Sequence, residues 1–163
     1  MTATVTIIEK HGTAGTATDK TSGTVRLKNA DNATVDTNNP MVIPTSGVDY
    51  SYEKWLRLKV TAAPSTNITN LKFYTDGTSG FGTGVTTYAK AVATYATPAE
   101  ATATAGYSSA FGYTSGSALD LGTASYTGTG EKGSHCVLMM TVASTASPGA
   151  LSAETITFSY DET

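Results

Sequence analysis

Nucleophilic catalysis in this chain would have to use His11 or His135, since these are its two imidazoles and a weak nucleophile needs a base beside it. His11 sits in a His-Gly turn, and His135 is next in sequence to the one thiol, Cys136. Neighbours on a strand point to opposite faces, so His135 and Cys136 cannot form a dyad with each other. Cys136 reads instead as a small core residue. Zinc requires several Cys or His ligands, and the chain has three such residues in all. Calcium accepts oxygen ligands, which Asn29-Ala30-Asp31-Asn32, Asp36 and Asn38-Asn39 could supply. The same residues are ordinary turn formers, and a turn is the expectation here. Glycosidase chemistry needs two carboxylates across a cleft, and no spacing among the thirteen acids nominates a pair. Gly128-Thr129-Gly130-Glu131-Lys132-Gly133 matches the dinucleotide fingerprint, but the strand before it and the helix after it are missing. That stretch is expected to be a flexible turn. The sequons Asn32-Ala33-Thr34 and Asn67-Ile68-Thr69 are what six Asn among 47 Ser and Thr produce by chance. The expectation is a protein with no catalytic residue, no cofactor and no metal site.

Aromatic side chains are the remaining lead, with nine Tyr, four Phe and one Trp. Tyr50, Tyr52, Phe73, Phe158 and Tyr160 fall on the apolar parity of alternating segments and are expected in the core. Phe81, Tyr107, Phe111, Tyr113 and Tyr126 lie in or beside loops, as does Tyr74. Loop aromatics stack on sugars, anchor protein interfaces or cover the open end of a sandwich. Phe81, Tyr107, Phe111, Tyr113 and Tyr126 are the interface candidates.

Composition limits what can position these groups. Charged residues make up 14% of the chain, against about 25% in ordinary domains. Thr (32), Ala (22), Gly (16) and Ser (15) together account for 85 of 163 residues, so the polar surface is mainly hydroxyl and backbone. Ten Lys and Arg argue against a nucleic-acid partner. A net charge of −3 with 39% hydrophobic residues argues against charge-driven disorder. One cysteine excludes an internally crosslinked miniprotein. The longest apolar run, Cys136 to Met140, is far short of the roughly 20 residues of a membrane helix. Met1 to Lys10 shows no secretory signal pattern. One soluble domain over 1–163 is expected, with residues 1–20 as an N-terminal arm or edge strand.

Thr favours strands because its branched Cβ fits a pleated surface. Alternation predicts strands over residues 3–9, at Val25 to Lys28, at Met41 to Ile43 and, most clearly, from Val48 to Val60. In the last of these Lys54 interrupts the apolar row and Trp55 sits on the polar row, which a bulge or bend nearby would reconcile. Further strands are expected around Ile68 to Phe73, Ala118 to Leu121, His135 to Val142 and Ile156 to Tyr160. Tyr88 to Tyr95 fits either a helix or an Ala-rich edge strand. Thr97-Pro98-Ala99-Glu100 has the form of a capping box, predicting one or two helical turns. Seven to nine short strands, long Gly/Ser/Thr-rich loops and at most one short helix describe an all-β antiparallel sandwich, jelly-roll or Ig-like.

Two parts of the chain carry a family resemblance. His135-Cys-Val-Leu-Met-Met-Thr-Val142, then Ala146-Ser-Pro-Gly149 and Glu154-Thr-Ile-Thr-Phe-Ser-Tyr-Asp-Glu162, resembles the closing strands of small virion proteins of tailed bacteriophages. Tyr52-Glu-Lys-Trp-Leu-Arg-Leu-Lys-Val60 with Asn67-Ile-Thr-Asn-Leu-Lys-Phe-Tyr74 is similar to the same group. The resemblance covers under a third of the chain. It implies a β-sandwich that decorates a capsid, assembled in the host cytoplasm, with the major capsid protein and copies of itself as partners. A homo-oligomer is expected, a trimer favoured, with no membrane and no catalytic residues. The alternative is a carbohydrate-binding module or adhesin that stacks sugars on the loop aromatics.

Overall fold

The computed structural model describes residues 2–163, and its regular structure is nearly all strand. β1 (Thr4–His11) and β2 (Thr16–Asp19) form a hairpin, followed by a long irregular stretch. Next come β3 (Val48–Tyr50), β4 (Lys54–Ala62), β5 (Ile68–Tyr74) and β6 (Val85–Val92). A two-residue β7 (Ser108–Ser109) leads into a 3-10 turn at Ala110–Gly112, then β8 (Leu119–Gly122), β9 (Gly130–Ala143) and β10 (Thr157–Glu162). The strands form two antiparallel sheets. The large one has the order β2-β1-β4-β9-β6-β7, with β3 also on β9, and the small one has the order β10-β5-β8. This is the expected β-sandwich, with ten strands rather than seven to nine.

Beside β2 and β7, one additional strand arises where Val48 to Val60 divides. β3 and β4 both pair with β9, but residues 51–53 leave the ladder. There Glu53 N donates to the Ala99 carbonyl and Ala101 N to that of Ser51, so a passing segment takes over the pairing. This also explains why no helix follows Thr97. The backbone at 99–101 is used extended, bridging Tyr52 to Glu100, and Pro98 is buried. The bend expected near Lys54 and Trp55 falls at residues 51–53, where three residues lie opposite two of β9 between Tyr50↔Thr141 and Lys54↔Leu138. Lys54 shares the inward row of Leu56 and is buried as a charge, while Trp55 is buried on the sheet's other face.

Two expected strands do not form. Val25 to Lys28 keeps its alternation, with Val25 and Leu27 packed on the core, but it has no ladder partner. The nearby Thr24 carbonyl is taken instead by the Lys20 ammonium at 2.8 Å. Met41 to Ile43 lies between Pro40 and Pro44, which lack N–H donors, and Val42 N donates to the Asp49 carboxylate. Residues 85–92 form the strand alternative rather than the helix, with only the two-residue β7 beyond it at the sheet's edge. β6 lies between β9 and β7, with Ala89 fully buried.

The glycine-rich fingerprint is not a flexible turn either, because Gly130 to Gly133 begin β9. Between Leu56↔Cys136 and Leu58↔Lys132 the β4–β9 register slips, so β9 carries extra residues around Gly133. Gly133 has φ +67°, and a Cβ there would lie 2.6 Å from the Leu121 carbonyl of β8. Glycine is needed at this point for the small sheet to approach.

The main core lies where the sheets face each other, with Leu56, Leu58, Leu71, Phe73, Leu121 and Leu138 among its buried members. Val85, Met140 and Val142 form a second cluster, against Leu27, Met41, Ile43, Phe81 and Ala146. Irregular chain, not the small sheet, supplies these partners.

Candidate functional site

Between the large sheet and that irregular cover lies a cavity of about 1080 Å³. Its floor is the inner face of four adjacent strands. Val5 and Ile7 come from β1, Leu58 from β4, Leu138, Met140 and Val142 from β9, and Val85 and Thr87 from β6. Three inter-strand spacings make this floor about 14 Å wide. The roof is formed by residues 146–158 with Phe81, Phe111 and the Pro40–Ile43 region. It exists because β9 is 14 residues long while β5, at the centre of the small sheet, has seven.

Thr87 is the one polar residue of the floor. It is buried, and its hydroxyl has no hydrogen-bond partner among the described residues. The Thr75 hydroxyl, also in the wall, is within 3.2 Å of the Tyr113 carbonyl. The cavity opens to solvent on one side, where polar residues of the wall lie. Its floor offers water one orphan hydroxyl, so this apolar surface gains by meeting an apolar occupant.

One side of the cavity borders a cluster of buried charge. Glu9 on β1 follows Val5 and Ile7 in the inward row, and Lys54 precedes Leu56 in the inward row of β4. The Glu9 carboxylate lies 3.4 Å from the Lys54 ammonium and 3.5 Å from that of Lys20, with all three side chains at most 5% exposed. Its Oε2 makes no hydrogen bond among the described residues, so the attraction to Lys20 is coulombic. Burial pulls the Lys54 ammonium below its usual range, and Glu9 only partly opposes this.

Each ammonium also holds the chain around it. Lys54 donates to the carbonyls of Ala30 (3.2 Å) and Asn32 (2.7 Å). Lys20 donates to those of Thr24 and Ala33. Lys28 donates to that of Thr34 and pairs with Asp36 at 2.9 Å. The oxygens weighed above as calcium ligands thus surround cations supplied by the protein itself. Asp31 is used too, accepting from Gly12 N at 2.9 Å. Lysine charge, not strand pairing, orders residues 20–36.

The opposite face of the large sheet has its own packed site. Trp55 meets Tyr95 and His135 edge-on, each at 5.4 Å between ring centroids. His135 is fully buried; its Nδ1 lies 3.2 Å from the Val92 carbonyl, and Nε2 has no hydrogen-bond partner among the described residues. Burial, reinforced by Arg57, lowers the His135 pKa. Burial alone raises that of Cys136, whose side chain belongs to the inner core. Nearby Glu131 pairs with Lys10 (3.1 Å) and Arg57 (3.0 Å). Burial works to raise its pKa, but these two cations outweigh it and the net shift is downward.

The five interface candidates are distributed over four places, and all are half-buried. Phe81 and Phe111 meet edge-on at 5.8 Å in the cavity wall. Tyr113 packs on the main core, and its carbonyl accepts from Thr75 N. Tyr126 pairs through its backbone with Ile68 near the far end of β5. Tyr107 lies on the outer face, its hydroxyl bonded to Glu53 and its ring 4.0 Å beneath the Lys90 ammonium. The large apolar side chains that are well exposed are instead Val35, Val42, Val48 and Leu151.

Sequence reasoning missed Arg26, Thr87 and the Glu9–Lys54 pair. Arg26 lines the cavity, is exposed, and makes no ion pair or hydrogen bond among the described residues. The pair did leave a signal, since one acid and one base each interrupt an apolar row. Reading it requires knowing that β1 and β4 are neighbours. No protein family, curated relative or solved structure matches this chain.

Proposed function

We propose that this protein is a virion structural component, a capsid decoration protein that binds the exterior of a tailed-phage head and stabilises the shell. The observation that carries this reading is where the resembling segments lie. Residues 52–60 and 135–142 contain β4 and the later part of β9, which pair at the centre of the large sheet. Residues 67–74 and 154–162 contain β5 and β10, which pair in the small one. The segments that resemble small phage virion proteins are thus the ones that build the sandwich.

Two further features support it. A shell component must hold one shape, and the lysine-held stretch at 20–36 gives loops a fixed form without extended pairing. It also needs apolar contact points. Val42 lies between the cavity-lining residues Met41 and Ile43, and Leu151 lines the cavity itself, so both border one end of the sandwich. In this reading that end meets the major capsid protein or a neighbouring copy in a homo-oligomer, a trimer favoured, and catalysis has no part. Low formal charge suits repeated contacts about a symmetry axis, where like charges would face each other.

The test is binding to empty capsids of the parent phage. Cosedimentation at a fixed stoichiometry is expected, lost in the double variant Val42→Asp/Leu151→Asp while its melting temperature is retained. Absence of the protein from purified particles by mass spectrometry would refute the reading. Specific glycan-array binding without capsid binding would replace it with the adhesin alternative.

A further inference from the structure

We infer that the cavity between the large sheet and its irregular cover is a binding site for one long-chain amphiphile with an anionic head group. The inference goes beyond a structural role and does not depend on where the protein acts. The apolar part of the ligand follows from the floor, where seven of eight side chains across β1, β4, β9 and β6 are aliphatic or Met. The eighth, Thr87, keeps its hydroxyl unpartnered.

The sign of the head group follows from the charged residues in the wall, which are Lys20, Arg26, Lys28 and Glu154. Lys20 is taken by Glu9 and two carbonyls, and Lys28 by Asp36 and one carbonyl. Glu154 accepts from Gly80 N. Among the described residues, Arg26 remains the one cation of the wall with neither an anion nor a carbonyl as partner. It belongs to the same segment as Val25 and Leu27, which also line the cavity. Exposed yet lining the cavity, its guanidinium can meet a carboxylate at the mouth while the alkyl chain lies over Leu138 and Met140. A planar fork of donors suits a carboxylate better than a neutral alcohol.

The test uses the full chain, stripped of bound lipid, with hexadecanoate as probe in native mass spectrometry and titration calorimetry. A one-to-one complex is expected. Arg26→Glu, an exposed change that should leave melting unaltered, should weaken hexadecanoate by about tenfold. Hexadecan-1-ol should bind more weakly than hexadecanoate and be indifferent to Arg26→Glu. Val142→Trp, which fills the cavity floor, should abolish both complexes, its fold verified by circular dichroism. Failure of hexadecanoate to bind the wild-type chain would overturn the inference. So would a complex insensitive to both substitutions, or concentration-dependent self-association that hexadecanoate does not reverse, which would assign the cavity to a second copy.

Discussion

The inner face of the large sheet is covered in two ways. Over Leu56, Leu58 and the middle of β9, the small sheet lies on it and Phe73 is fully buried, edge-on to Phe158 at 5.6 Å. Over Val85, Met140 and Val142, the cover is irregular chain and a cavity remains. The floor residues are equally apolar in both places, so their own hydrophobicity does not decide the outcome. Only strands carry a row of side chains at a spacing that interdigitates with the opposing sheet. The largest expected effect tests this difference. Phe73→Ala should destabilise by about 4 kcal/mol in chemical denaturation. Met140→Ala, whose loop cover is free to settle into the space, should stay near the lower limit for such changes, about 2 kcal/mol. Equal losses would mean that the two regions are packed alike.

Next in size is the charge cluster at the border. Removing one partner of a buried ion pair leaves the other uncompensated, which typically costs about 3–5 kcal/mol. Glu9 serves two ammoniums, Lys54 and Lys20, so Glu9→Gln should fall within that range, about 3 kcal/mol or more. The change should also loosen residues 20–36 and with them one wall of the cavity. Hydrogen exchange should show those amides opening while β5 and β10 keep their protection. Uniform loss of protection would mean that the loop-covered and sheet-covered regions unfold as one unit.

What was legible in the sequence follows the same division. β4 and β5 were readable because each buries one face against a partner and shows it as alternation, as Leu56, Leu58 and Val60 do, whereas β9 was readable as a continuous apolar run because both its faces are buried. Val25 to Lys28 alternates too, because Val25 and Leu27 also face inward, but periodicity reports burial and not whether a ladder partner exists. The capping box at Thr97 is a sound local signal overridden by tertiary pairing at Ser51 and Glu53. The cavity left no local signal, since it depends on β9 outrunning the small sheet. Arg26 was invisible for the same reason: an exposed arginine acquires meaning only from what lies beside it.

Irregular cover does not by itself leave space, as the sheet's outer face shows. There a non-strand residue, Tyr95, packs onto Trp55 and His135, and His135 is fully excluded from water. Its lowered pKa makes the seal measurable. Above pH 6.5 the imidazole is neutral in both folded and unfolded chains. As pH falls below 6.5, the unfolded chain takes up a proton that the fold refuses. Stability should then drop by up to about 1.4 kcal/mol per pH unit until the lowered folded pKa is reached. Glu131 acts in a lower window, because its pKa is depressed and its contribution fades only as pH falls below 4.5 toward the folded value. Urea titrations between pH 7 and about 5 should show the slope in wild type and its loss in His135→Gln. A flat wild-type profile would mean that water reaches the imidazole and that the outer cover is as open as the inner one.

The smallest effect has the opposite sign and returns to the cavity floor. A buried hydroxyl without a partner carries a desolvation penalty of about 1–3 kcal/mol. Thr87→Val keeps the branched shape that suits β6 and replaces that hydroxyl with a methyl group. In a well-satisfied core the same exchange destabilises, because it breaks a hydrogen bond. Here it should raise stability by about 1 kcal/mol, the lower end of that range, since the open side of the cavity returns some hydration. Thr75→Val supplies the contrast, because the Thr75 hydroxyl lies within reach of the Tyr113 and Ala110 carbonyls and accepts from Gly77 N. That change should lower stability by a similar amount. If both variants lose stability, Thr87 has a bound water as its partner, and the space above Met140 is wet rather than suited to an alkyl chain.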